Sequence, residues 1–204
     1  MSYANIFELR KSLQDCIEYC REHPEREHSQ FHQPVLEKAF EKLNKTSEKA
    51  DREFTEWRME SREDQLAWKH LAKELRSVQK KLEAVNAIGF IDQKVMYRDR
   101  EPLLAAVSEM IDYLQERTDV LDFAEDRADK LDRQRRKAIS EDDESERALD
   151  EYLRYSKMRS DGLSQAKESI GNFRKTLRRE LGKNNDEYQA IEWPHQVESD
   201  NRVL

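Results

Sequence analysis

A heptad repeat of apolar residues runs from Leu36 to Val85 and constrains the fold of this chain more than any other feature. Alternating steps of three and four residues give fifteen positions, of which twelve are apolar; the polar three are Ser47, Ser61 and Asp64. Because the phase does not slip over about seven heptads, the repeat predicts one long helix whose apolar edge packs on other helices. Fifty helical residues span about 75 Å, so we expect an elongated molecule.

Three further segments keep the same apolar spacing. They cover residues 6–20, residues 103–131 with Arg117 as a polar step, and residues 149–177 with two polar steps. Disordered chains have no reason to keep such a period, and the 204 residues include only four glycines and four prolines. The predicted fold is all-α: an elongated antiparallel helical bundle or coiled coil with three long helices and a short N-terminal helix.

Proline and glycine mark two of the expected helix ends. Two prolines in residues 21–34 close the first helix, and Pro34 suits an early position in the second. Gly89 follows the last apolar position of the long repeat and suits a C-terminal cap. Pro102 then falls in the first turn of the third helix, and the arrangement of helices two, three and four is expected to be up-down-up.

The order of charges predicts a third break. Basic residues 133–137 precede acidic residues 141–144, and cations stabilise the end of a helix whereas anions stabilise its beginning. We therefore expect a turn near 139–142, with one continuous helix as the alternative. The bundle is predicted to cover residues 1–183, and residues 184–204, which lose the heptad, form a tail.

Composition limits location and partners. The formal net charge is -7, which opposes a dedicated nucleic-acid binder. The N-terminal residues lack the apolar core of a signal peptide, and no window approaches the roughly 18 apolar residues of a membrane span. We expect a cytoplasmic protein whose two cysteines are thiols, because Cβ atoms four residues apart on a helix are roughly 5–6 Å apart and a disulfide needs about 3.8 Å.

The connector between the second and third helices is unusually apolar for a loop. An up-down-up arrangement places this connector beside the end of the last helix, where basic residues gather. Such a tip suits an acidic protein or an anionic membrane, and the alternative is a plug that closes the bundle. The candidate tip residues are Ile88, Phe90, Ile91, Met96, Tyr97, Lys94, Arg98, Arg100, Arg178 and Arg179.

Asp64 is the one charged residue on the long seam. A polar residue at such a position sets register between helices, so we predict that Asp64 pairs with a cation across the interface. The alternative is a locally hydrated bundle.

A second polar group offers metal ligands. Cys16, Cys20 and His23 share one helical stripe, and His28 and His32 follow in the next loop. Four such side chains can bind zinc. The alternative, which we prefer, is that the cysteines act as small apolar residues of the seam and that no metal or other cofactor is bound.

The tail carries three apolar anchors in a polar segment: Tyr188, Ile191 and Trp193. This pattern is typical of a segment that docks on a partner. The alternative is that the tail folds back on its own bundle.

No catalytic pattern occurs in the sequence: it has no glycine-rich phosphate loop, no Glu-x-x-His pair and no nucleophile elbow. We therefore expect a non-enzymatic scaffold, adaptor or assembly subunit that acts through self-association and protein–protein binding. The plan of one short amphipathic helix and three long ones in about 200 residues resembles that of membrane-curving BAR-type dimers, a resemblance of architecture that implies a peripheral membrane-binding bundle. A metal-stabilised regulatory bundle is the third hypothesis.

Overall fold

The computed structural model describes residues 3–85 and 96–191, with side chains described from residue 6. Within these ranges every regular element is a helix, which confirms the all-α prediction. Two helices of 58 residues, α2 and α4, pack together. The helices are α1 (Tyr3–Glu22), α2 (Glu27–Ala84), α3 (Arg100–Gln115), α4 (Ala124–Leu181) and α5 (Asp186–Ala190).

The chain divides into two compact units. Unit 1 comprises residues 1–53 and 152–204, and unit 2 comprises residues 54–151. Both long helices contribute to both units, because the divisions fall inside α2 and inside α4. The predicted boundary between residues 183 and 184 lies within unit 1.

Unit 1 is built from α1, the first half of α2, the second half of α4 and α5. Lys42 donates to Gln165 over 2.8 Å, and Arg159 pairs with Asp51 over 2.9 Å, so α2 and α4 run in opposite directions here. The core includes Leu9, Leu13, Cys16, Leu36, Leu43, Leu163, Ile170, Phe173 and Leu177.

Unit 2 is built from the second half of α2, from α3 and from the first half of α4. Its core includes Trp68, Leu71, Leu75, Val78, Leu103, Val107, Met110, Leu114, Ala128 and Leu131. Arg127 of α4 pairs with Glu74 over 2.7 Å, whereas Glu141, further along α4, lies close to Glu60. The two long helices therefore run in opposite directions in this unit too.

The direction of α3 differs from the expected up-down-up arrangement. Arg100, at its beginning, pairs with Asp142, and Ser108 accepts a hydrogen bond from Arg135 over 3.1 Å. These contacts make α3 antiparallel to α4 and hence parallel to α2. Arg100 accordingly lies beside Asp64 and not beside the end of α2.

The prediction of one long third helix over 103–131 is wrong. Helix α3 ends at Gln115, and α4 begins at Ala124. Arg117 closes the intervening turn, because its guanidinium lies 3.8 Å from the centre of the Tyr113 ring and its carbonyl accepts from the amides of Val120 and Leu121. The seven-residue step from Leu114 to Leu121 spans this turn, which is why the heptad phase conceals it.

The turn expected near 139–142 is also wrong, since α4 is continuous through it. Its charges are paired within the helix: Arg136 with Asp132 over 2.5 Å and Lys137 with Glu141 over 3.8 Å. Acidic and basic residues one turn apart stabilise a helix interior, so this order of charges does not require the helix to end here.

Helix α2 begins earlier than expected, at Glu27, and Pro34 lies inside it. Proline removes one backbone hydrogen bond from a helix interior at a cost of about 3 kcal/mol. The preceding turns bury His28, Ser29 and His32 against the rest of unit 1, and we attribute the tolerance of Pro34 to this packing.

In the described ranges, each helix lacks the long apolar stretch that crossing a bilayer would require.

Candidate functional site

Three successive positions in the middle of the long seam are not fully buried. Phe54, Trp57 and Ser61 are only half-buried, whereas Trp68 and Leu71 are fully buried. Within unit 2, α3 begins beside Asp64, so among the described residues this helix does not lie along the seam before that position. Phe54 and Trp57 are thus half-buried, and their ring centroids lie 5.7 Å apart.

A surface depression adjoins this part of the seam. It has a volume of about 310 Å³ and is lined by Phe54, Thr55, Arg58, Met59 and Arg62. Met59 is 57% exposed, and the Arg58 guanidinium lies over the Phe54 ring at 5.8 Å. Apolar and cationic groups therefore lie side by side here; we call residues 54–62 the seam face.

Asp64 pairs with a cation of another helix, as predicted in kind. Its side chain is 4% exposed and lies 2.6 Å from Arg100 of α3. Arg100 also pairs with Asp142 of α4, and its guanidinium lies over the Trp68 ring at 5.2 Å. The cluster joins all three helices of unit 2 within one chain; its role in setting register stays a prediction.

The predicted tip is described only in part. Ile88, Phe90, Ile91 and Lys94 lie outside the described residues. Met96 is exposed, and Tyr97, Arg98 and Arg100 line a depression of about 250 Å³ with Gln65 and Trp68.

Basic side chains surround Tyr97. The Lys69 ammonium lies over its ring at 5.2 Å, and Arg98 donates to its hydroxyl over 3.3 Å. These cations lower the pKa of Tyr97, with the Arg98 hydrogen bond as the largest cause.

Arg178 and Arg179 belong to unit 1, so the predicted tip residues are divided between the two units. Partner binding by them stays a prediction.

Two of the three tail anchors are packed inside unit 1. Tyr188 is 4% exposed and Ile191 is 5% exposed, and both belong to the core that α1, α2 and α4 form. Trp193 lies outside the described residues. The described part of the tail therefore folds back on its own unit, which was the alternative to docking on a partner.

A charged clamp holds this segment. Arg26, in the turn between α1 and α2, donates to Glu187 through both terminal nitrogens, over 2.6 and 3.1 Å. Tyr19 donates to the same carboxylate over 3.1 Å, and Arg174 donates to the Tyr188 hydroxyl over 2.9 Å. The hydrogen bond from Arg26 is the main reason why the pKa of Glu187 is lowered. Burial raises the pKa of Tyr19 to about 12.

Two histidines of α2 face the end of α4 beside this clamp. His28 is buried and pairs with Glu180 through Nδ1, and His32 lies 3.2 Å from the Thr176 hydroxyl. Burial lowers the pKa of His32; the neighbouring His28 acts in the same direction, and Glu180 opposes it.

The structure does not bring the candidate metal ligands together. Burial raises the pKa of Cys16 well above its ordinary value and that of Cys20 to about 11, which disfavours the thiolate that binds metals. The nearest acidic groups to His23 are Glu25 at 3.8 Å and Glu187 at 4.0 Å. Both cysteines are buried in the core as free thiols.

Across the described residues, one group of possible metal ligands is close enough to surround an ion. It consists of Glu60, Glu141 and Glu144. Burial is the largest cause that raises the pKa of Glu60, and the neighbouring carboxylates add to it. Glu60 and Glu141 are half-buried and Glu144 is exposed, and carboxylates on facing helices occur without a metal, so the group carries no functional assignment.

Comparison of the chain with protein-family models, with curated proteins and with solved structures gives no match.

Local sequence patterns did not reveal the Arg26–Glu187 pair or the two histidine pairs, because the partners are more than 140 residues apart in sequence. One local sequence signal did indicate the short helix α5. Asn185 caps α5 by accepting from the amides of Glu187 and Tyr188, and an asparagine followed by two acidic residues is a usual start of a helix.

Proposed function

We propose that this protein is a non-enzymatic helical scaffold or assembly subunit that acts by self-association. The observation that supports the proposal is the partial exposure of Phe54 and Trp57, two large aromatic residues at successive positions of the heptad seam. Seam residues of a coiled coil insert between side chains of a facing helix. A second copy of the chain, laid along the seam face, would bury the part of these two side chains that is exposed.

The finer architecture belongs to the same proposal. We propose that α2 and α4 pair as an antiparallel coiled coil and that the molecule is elongated. The opposed contacts of the two helices within unit 1 and within unit 2 support the first part. The uninterrupted length of α2 and of α4 supports the second.

Sedimentation velocity on full-length variants tests the seam face. Changing Phe54→Gln and Trp57→Gln together keeps residues that favour helix but removes the aromatic surface. We expect the wild-type chain to associate and this variant to associate at least about tenfold more weakly, since tenfold corresponds to about 1.4 kcal/mol of binding free energy.

The matched control is Phe31→Gln, because Phe31 lies on the same helix, is 70% exposed and is off the seam. It should associate like the wild type, and circular dichroism should show equal helicity in all three proteins. Equal association of the seam variant and the wild type would refute the seam face as the contact.

A further inference from the structure

The end of α1, the beginning of α2 and the end of α4 form a groove that holds a short segment of the same chain. We call residues 184–191 the C-terminal segment. Its two apolar side chains, Tyr188 and Ile191, are buried in the core of unit 1. The hydrogen bonds from the rest of unit 1 to the segment come from α1, from the turn between α1 and α2, and from α4.

The groove recognises a definite pattern of side chains. Glu187 enters between the Arg26 guanidinium and the Tyr19 hydroxyl, and Tyr188 follows it into the core with its hydroxyl held by Arg174. Ile191, three residues later, fills the apolar part of the groove. The acidic residue of the segment thus meets a cation, its aromatic residue meets a hydrogen-bond donor, and its aliphatic residue meets a buried apolar surface.

The connection between α4 and the segment is short and depends on one residue. Helix α4 ends at Leu181 and α5 begins at Asp186. Gly182 has a φ of +84°, in the left-handed region, and its amide donates to Arg178 over 3.1 Å. Residues with a side chain are disfavoured in that region, so the return of the segment to its own groove depends on glycine.

A helical conformation at Gly182 would instead extend α4 and carry the segment away from its own chain. The emptied groove would keep Arg26, Tyr19 and Arg174, and a second copy of the chain offers the one segment that the structure shows to fit them. The same hydrogen bonds and apolar packing would then form between two chains instead of within one, which is the condition for exchange of an element between protomers.

We infer that two copies of this protein exchange their C-terminal segments, each groove taking residues 184–191 of the other copy. This exchange extends the proposed self-association but uses none of the seam face. The two modes of association can therefore fail separately.

The first test changes the connection in the full-length chain. Gly182→Ala disfavours the left-handed turn and favours continued helix. We expect the dissociation constant of the dimer to fall at least about tenfold, since the strain of a left-handed alanine is relieved at two connections in each dimer. Gly171→Ala is the matched control, because Gly171 lies within α4 with open space around it, and it should leave association unchanged. An unchanged dissociation constant in the Gly182→Ala protein would overturn the inference.

The second test uses charge reversal to separate exchange from other modes of association. In the Gly182→Ala background, one chain carries Arg26→Glu and the other, isotope-labelled, carries Glu187→Lys. Each chain alone has a mismatched groove and segment, whereas an exchanged pair of the two has a matched acid and base in both grooves. Native mass spectrometry of an equimolar mixture should show that mixed dimers make up well over half of all dimers, the share that random pairing alone would give.

The outcomes distinguish segment exchange from association through the seam face. Dimers formed equally by each variant alone and by the mixture would refute exchange and leave the seam face as the interface. Monomers in all three samples, with Gly182→Ala alone also monomeric, would refute both. A chain carrying both reversals restores the pair within one molecule and shows whether the variants fold normally.

Discussion

At the scale of single residues, the buried carboxylate of Asp64 determines what its neighbours must do. Among the described residues it has one cationic partner, Arg100, and its other oxygen is buried with no hydrogen-bond partner there. Asp142 lies on the more exposed side of Arg100. The dependence within this cluster is therefore unequal: Asp64 depends on Arg100 for a cationic partner, whereas Arg100 has Asp142 as a second partner.

This inequality predicts different effects of two alanine substitutions. Arg100→Ala leaves a buried carboxylate unpaired and should lower the free energy of unfolding by about 1–3 kcal/mol. Asp142→Ala removes a partly exposed partner and should cost less than about 1 kcal/mol. Urea denaturation measures both, and equal costs would show that Asp64 does not depend on Arg100 for its charge.

His32 gives the fold a predictable response to acid. Its pKa is below the ordinary value of 6.5 because it is buried, so the folded state binds the proton less readily than the unfolded state. Its contribution to stability is complete above about pH 6.5 and is lost as the pH falls through the lowered pKa. His32→Gln should therefore reduce the loss of thermal stability between about pH 6.5 and pH 5. His70→Gln, at an exposed position of α2, is the control, and an unaltered pH profile in the His32 variant would contradict this role of His32.

At the scale of elements, periodicity predicted the buried faces well and the ends of helices poorly. Leu71, Leu75 and Val78 are buried as the heptad predicts. The spacing of apolar residues along the helix is enough to determine which face is buried. The turn around Arg117 keeps the same spacing on both sides, so periodicity does not reveal it. The direction of α3 depends on where Arg100 finds Asp64 and Asp142, which are distant in sequence, and no local pattern contains that information.

The two glycines inside α4 test how closely it packs on α2. A Cβ at Gly171 would meet nothing within 4 Å, whereas a Cβ at Gly162 would lie 3.0 Å from the Thr46 hydroxyl. That hydroxyl is held by the carbonyl of Lys42 over 2.8 Å, so it does not move away freely.

Alanine should therefore act differently at the two glycines. Gly171→Ala should stabilise the protein by about 1 kcal/mol through helix propensity, and Gly162→Ala should gain less or lose stability. Thermal unfolding of the two variants gives the comparison. An equal gain at both positions would mean that the helices are not in close contact at Gly162.

At the scale of the whole molecule, each unit has its own core, and both long helices contribute to both units. The half-buried Phe54 and Trp57 follow from where α3 begins. The seam was predictable from the sequence, but its incomplete coverage was not, because coverage depends on the position of a third helix. Self-association is the function that this incomplete coverage supports.

Sedimentation equilibrium of the unmodified chain tests self-association most directly. The chain has a mass of 24.4 kDa, and we expect the average mass to rise with concentration towards a multiple of this value at tens of micromolar. A single species of 24.4 kDa at every concentration in that range would contradict self-association.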